Sequence, residues 1–246
     1  MRQWSALFMK DFKLTRVVFF MGLVMNGLVA LLTLTLEGAA NDSLLLFVPF
    51  AIAAGIHVAY VPGMVLISLK SEGSYMSVWL HNPQAAFKLL LSKMVNGLIM
   101  LVVSLAWLYA LARLVITPRL SLIEPSWTDA WSVGWFIFPH IIWISAGLSV
   151  LVMFLWALHQ YLKLRIGRWS WAVIAGILIL SGWIYALLTT SKLYGFVTEW
   201  GGMTYKFGVI LPDTLQTYTG GYVFDFIMIV GLFILTAWLV DNKVEG

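Results

Sequence analysis

Cysteine is absent from the 246 residues. No disulfide frame can hold the fold, and no cysteine nucleophile or thiolate metal ligand exists. Charge is scarce as well. Only 11% of the residues are Asp, Glu, Lys or Arg, against about 25% in a soluble domain. Hydrophobic residues make up 61%, and the mean hydropathy is +0.92. A water-soluble fold of this length cannot hide that much apolar surface, and a disordered chain is excluded more firmly still. Several chemical signatures are missing too. There is no G-x-x-x-x-G-K-[ST] phosphate cradle, no H-E-x-x-H, no G-x-S-x-G and no potassium-filter loop. No His/Asp/Glu cluster has metal-ligand spacing. No series of acidic residues runs through the apolar segments, which argues against a proton- or sodium-driven carrier.

What is there is long apolar runs. Outer-membrane strands alternate apolar and polar over roughly 10 residues, whereas these runs continue for about twice that. A hydrocarbon core of about 30 Å takes about 20 helical residues. Six segments satisfy this: Val17–Leu36, Leu44–Leu69, Met94–Thr117, Val133–Ala157, Trp169–Thr190 and Tyr222–Val240. Backbone hydrogen bonding in lipid makes each a helix. The expectation is a single all-α, polytopic transmembrane domain over residues 1–246. Pro49 and Pro62 predict a kink or tilt in the second segment. The first segment is too long for a signal-peptide core and is read as retained.

Charge placement orients the chain. With the N-terminus in the cytoplasm, 11 of the 15 lysines and arginines fall on the inner side. The positive-inside rule favours that arrangement, with both termini cytoplasmic. The net charge of +4 reflects this bias and does not suggest nucleic acid, while the short basic link His159 to Arg168 is expected to meet membrane lipid headgroups.

The connecting segments differ in character. In residues 1–16, Trp4, Leu7, Phe8 and Phe12 recur at helical spacing, so an amphipathic helix in the interface is expected. It serves either as an anchor or as an elbow that touches a cytoplasmic partner. The inner loop, residues 71–93, is too long for a bare turn. Tyr75, Val78 and Trp79 are helically spaced, and Asn82-Pro83 breaks the helix. It is either a docking element carrying Glu72 and aromatics or an ordinary interfacial loop. Residues 191–221 on the outside are rich in Gly, Tyr, Phe and Trp; they form either a partly embedded cap, which the aromatic content favours, or a plain solvent loop.

Inside the spans, His57 and His140 are expected to be neutral and bonded to a neighbouring helix. Arg113 and Asp225 lie one turn from the outer ends of spans three and six. They either snorkel to the interface or pair as an outer gate. Ala51, Gly55, Ala59 and Gly63 share one helix face, which permits close packing within the subunit or across a dimer.

Local sequence adds a resemblance. Leu7-Phe8-Met9-Lys10-Asp11-Phe12 resembles the opening of membrane subunits of type-2 ABC exporters of Gram-positive bacteria. Leu69-Lys70-Ser71-Glu72-Gly73 to Trp79-Leu80-His81-Asn82-Pro83 resembles their first cytoplasmic loop, and it is followed by a helix ending in Ser92-Lys93. Six spans, inner termini and a long last outer loop fit the same family. The resemblance implies a bacterial plasma-membrane permease without catalysis of its own. It would dimerise with a like or unlike permease and work with an ABC ATPase subunit that holds the ATP and magnesium. Glu72, Gly73, Tyr75, Trp79, Leu80, His81, Asn82 and Pro83 then match the coupling helix, and residues 191–221 match re-entrant outer helices. The cargo classes implied are amphipathic peptides, lipids, cell-wall-related compounds or drugs. The alternatives are a non-transporting sensor or immunity protein that binds a peptide through the outer loop and, third, a lipid-active intramembrane enzyme.

Overall fold

The computed structural model describes residues 2–36, 46–73, 84–118, 128–207 and 211–244. Long apolar helices dominate it: α1 (Arg2–Leu36), α2 (Val48–Ile56), α3 (Tyr60–Gly73), α4 (Ala86–Ile116), α5 (Thr128–Ile166), α6 (Ser170–Thr189), a short α7 (Lys192–Thr198) and α8 (Thr219–Leu239). The fold is all-α and polytopic in its spans. Among the described residues, five stretches are long and apolar enough to cross a membrane. One of them, Trp131–Thr189, has 59 residues and would extend to roughly 90 Å as a single rod. It is two helices. Gly167 has φ +57°, the left-handed conformation that ends a helix and suits glycine. A 3-10 turn at Gly167–Trp169 then starts α6.

The second expected span is also divided. One 3-10 turn, His57–Ala59, separates α2 from α3. Pro62 follows closely; it has no N–H to give the Val58 carbonyl, and its ring crowds that carbonyl. The expected irregularity therefore lies just ahead of Pro62. Pro49 sits in the first turn of α2, where a missing N–H costs nothing.

Two expectations are revised. Residues 1–16 are helical but are not set off from the first span, because α1 runs unbroken for 35 residues. No glycine or proline interrupts it before Gly22. Leu7 is buried in the core, and Phe12 packs beside Phe19, Met64 and Met100. Part of that apolar face thus lies against the bundle. Among the described residues of 191–221, one short helix, α7, precedes the start of α8 at Thr219. A hairpin of β1 (Gly202–Phe207) and β2 (Leu211–Tyr218) lies between them, paired antiparallel with an irregularity between Tyr205 and Phe207. Tyr205 rests on Phe136 of α5, ring centroids 4.7 Å apart.

Cross-helix contacts fix the directions. Asp11 meets Ser92 and Asn26 meets Ser104, so α1 and α4 run parallel. His57 meets Ser104 and Ser68 meets Lys93, so α2 and α3 run against α4. Tyr109 packs on Trp135, near the start of α5, while Gly73 lies beside Trp156 near its end. His140 bonds Tyr222 and Gly147 faces Ile229, so α5 and α8 run parallel. One end of the bundle therefore collects Lys10, Lys70, Lys88, Lys93, Lys163 and Arg165; it is called the basic end below.

Within the chain, the small-residue face is not where the helices pack closely. Ala51, Gly55 and Ala59 are exposed and Gly63 is half-exposed. A side chain added at Gly55 or Gly63 would meet nothing within 4 Å. The close approach is at Gly97 of α4, where a Cβ would lie 2.7 Å from Cγ1 of Val61. Changing Gly97 to Leu should therefore lower stability by about 1–3 kcal/mol, while Gly55→Leu leaves the monomer unchanged. Thermal melts of the two variants in detergent compare them directly, and equal midpoints would contradict the assignment.

Candidate functional site: an ion-pair collar at the basic end

Three helices meet at the basic end through charged side chains. Lys93 of α4 is 4% exposed and Asp11 of α1 is 2% exposed. Burying either charge alone would be very costly. Lys93 Nζ donates to Asp11 Oδ1 at 2.8 Å and to Ser68 Oγ at 2.8 Å. It also pairs with Glu72 Oε2 at 2.7 Å. An ammonium has three N–H donors; two are hydrogen-bonded to Asp11 and Ser68, and Glu72 balances the charge as an ion pair. Ser92 Oγ donates to Asp11 Oδ2 at 2.7 Å, so both carboxylate oxygens are held. Lys10, half-exposed, pairs with Glu72 Oε1 at 2.5 Å. Two lysines face two carboxylates, and the group carries no net charge.

Local sequence explains the placement. Asp11 and Thr15 are a turn apart, and the Thr15 hydroxyl bonds the Asp11 carbonyl. Ser68 and Glu72 are four residues apart and share one face of α3. Ser92 and Lys93 lie in the second turn of α4. The start of α4 is capped from far away, because Asp241 Oδ1 accepts from the Ala86 N–H at 2.9 Å. A carboxylate there satisfies an orphan donor and faces the positive end of the helix dipole. Both stems of the segment between α3 and α4 are thus clamped, by the ion pairs before it and by Asp241 after it.

Glu72 is turned into this network, and Gly73 lies beside Trp156 and Gln160. Tyr75, Trp79, Leu80, His81, Asn82 and Pro83 lie outside the described residues. Arg113 and Asp225 are not brought together. Arg113 stacks on Trp131, guanidinium carbon 4.6 Å from the ring centroid, and every ion pair among the described residues belongs to the collar. The gate reading has no contact to stand on, since α4 meets α5 at Arg113 whereas Asp225 lies exposed on α8.

The two span histidines are bonded as expected. His57 Nδ1 lies 2.6 Å from the Ala53 carbonyl and must carry its proton, because a carbonyl only accepts. Nε2 then accepts from Ser104 Oγ at 2.9 Å, which itself accepts from Asn26 Nδ2 at 3.2 Å. This neutral relay ties α1, α4 and the 3-10 turn together. His140 bonds the Phe136 carbonyl and the Tyr222 hydroxyl in the same manner.

Asp11, Lys93, Ser68 and Ser92 were not singled out as an ionic site from the residues. The available signal was a carboxylate and a lysine next to apolar spans, which are costly unless paired. Asn96 was missed as well. It lies one turn beyond Ser92, is 2% exposed, and neither atom of its amide finds a partner among the described residues.

The chain matches no family model, no curated protein and no solved structure.

Replacing Lys93 with Met would leave Asp11 and Glu72 buried without their shared cation. A loss of about 3–5 kcal/mol is expected. Lys10→Gln should cost under about 1 kcal/mol, because water screens that pair. Glu72→Lys would gather three ammonium groups and should behave like Lys93→Met. Denaturation midpoints of the purified variants test this order, and a wild-type midpoint for Lys93→Met would remove the collar as a structural element.

Proposed function

We propose that this chain is the membrane-spanning subunit of an ATP-driven exporter of the type-2 ABC class, working with a separate ATPase and a second permease. In this reading α1, the joined α2 and α3, α4, α5, α6 and α8 are six crossings. Both termini and the basic end face the cytoplasm of a bacterial cell. The energy source lies outside the chain, in keeping with a sequence that contains no phosphate cradle of the P-loop kind.

One observation carries the proposal. The fragments on which the family resemblance rests are far apart in sequence: Lys10-Asp11, Glu72-Gly73 and Ser92-Lys93. Their charged side chains meet in one collar, with Asp11 and Lys93 separated by 82 positions. The collar grips the stems of the segment that matches the coupling helix. A loop that receives a push from an ATPase can move the spans only if its stems are fixed to them. Here the fixing groups reach α1, α3 and α4 together. Glu72 acts within this reading as an anchor for the loop, and the docking surface falls to Tyr75, Trp79 and their neighbours.

Exposed tryptophans are consistent with the membrane placement. Trp169 and Trp171 begin α6, and Trp238 ends α8 at the basic end. Trp135, Trp183 and Trp200 lie toward the opposite end. Aromatic residues collect at the two membrane–water interfaces.

The test is co-purification. A C-terminally tagged chain, mildly solubilised from its native host, should bring down a soluble P-loop ATPase in equal stoichiometry. Trp79→Ala should release that ATPase without changing the melting behaviour of the permease. A single band after gentle crosslinking would instead favour a stand-alone sensor or immunity protein.

A further inference from the structure

At the end opposite the collar, a cavity of about 360 Å3 lies between α2, α4 and α5. Phe47, Phe50, Leu108, Tyr109, Trp131 and Phe138 form much of its wall, and no charged side chain lines it. Its size falls in the range of small-molecule sites, which runs from about 300 to 1,000 Å3. The aromatic wall is organised. Trp131 meets Phe47 edge-on at 6.2 Å and Tyr109 edge-on at 5.6 Å. These rings brace one another at the outer part of the cavity.

A cation stands at this rim. Arg113 follows Tyr109 by one turn of α4, near the helix end, and its guanidinium lies over the Trp131 ring at 4.6 Å. The side chain is exposed, and among the described residues it makes no ion pair. A guanidinium stacked on an aromatic face keeps its N–H edges available for a carboxylate or phosphate. The combination is an apolar, aromatic cavity with one oriented cation at its mouth.

We propose that the cavity and Arg113 together bind a membrane amphiphile with one anionic headgroup. The hydrocarbon chain lies among the aromatic side chains, and the anion rests on the guanidinium. A neutral lipid would leave the cation unused. A free inorganic anion would leave the cavity unused. A charged group deep in the cavity would have no partner there. The site does not depend on whether the chain transports anything.

Photolabelling tests this in wild-type protein reconstituted in phosphatidylcholine nanodiscs. The probes are diazirine-bearing hexadecanoic acid, kept ionised, and the matching neutral hexadecanol. The acid should label peptides covering residues 47–54, 105–113 and 131–141. It should do so about tenfold more strongly than the alcohol, as expected for one charge-assisted contact. Arg113→Gln should bring the acid down to the alcohol's level, and Arg113→Lys should recover part of the difference. Gly134→Trp and, separately, Ala51→Trp should fill the cavity and suppress both probes. Because Arg113 is exposed, its variants should melt as wild type does. Excess inorganic phosphate should not displace the acid. Equal labelling by acid and alcohol in the wild type would overturn the proposal. So would undiminished acid labelling in both tryptophan variants, or displacement by phosphate alone.

Discussion

A buried ammonium organises this molecule. Lys93 is removed from water at the base of α4, and such a charge is tolerated only when it is hydrogen-bonded and its charge is balanced. Asp11, Ser68 and Glu72 supply both conditions from two other helices. Each depends on the others' positions. Asp11 needs Lys93 and Ser92, and Glu72 needs Lys93 and Lys10. The packing of α1, α3 and α4 near the collar follows from one electrostatic constraint, which apolar packing alone would not impose. Helix association in lipid lacks the hydrophobic drive available in water. Directed polar contacts therefore weigh more in specifying register, and the neutral Asn26–Ser104–His57 relay repeats the device farther along the same helices.

The two ends of the bundle divide the labour. The basic end is ionic and charge-balanced, and it holds the stems of a twelve-residue segment. The opposite end is aromatic, carries the hairpin and contains the apolar cavity described above. Between them the second span is broken by a single 3-10 turn next to Pro62. The break coincides with the level at which His57 reaches Ser104. A helix that changes its hydrogen-bonding pattern there is held in place by the relay, so the irregularity is braced at the point where it occurs.

Much of the membrane architecture was legible in residue order. The runs from Val17 and Met94 needed only apolar length, and α1 and α4 contain them. Pro62 announced the irregularity that the His57–Ala59 turn displays. Proline acts on its own helix, within four residues, so its effect is local and readable. The break between α5 and α6 is local too, yet Gly167 gave less warning, since glycine permits a left-handed residue without requiring one. The hairpin was not read at all. Its strands carry mixed polar and apolar residues in a Gly- and Tyr-rich stretch, which resembles a loop until Tyr205 finds Phe136.

By itself the sequence determined the apolar solvent, the helical character of the long apolar segments and the clustering of positive charge between particular segments. These depend on composition and on distances of a few residues along one helix. Only the tertiary structure decided which charges meet. Lys10 and Asp11 are adjacent, but their partners stand more than sixty positions away. Electrostatic pairing depends on separation in space, which one-dimensional spacing does not contain. The same reason removed Arg113 from Asp225, placed it over Trp131, and left the small-residue face of Ala51, Gly55 and Ala59 turned outward while Gly97 took the close contact.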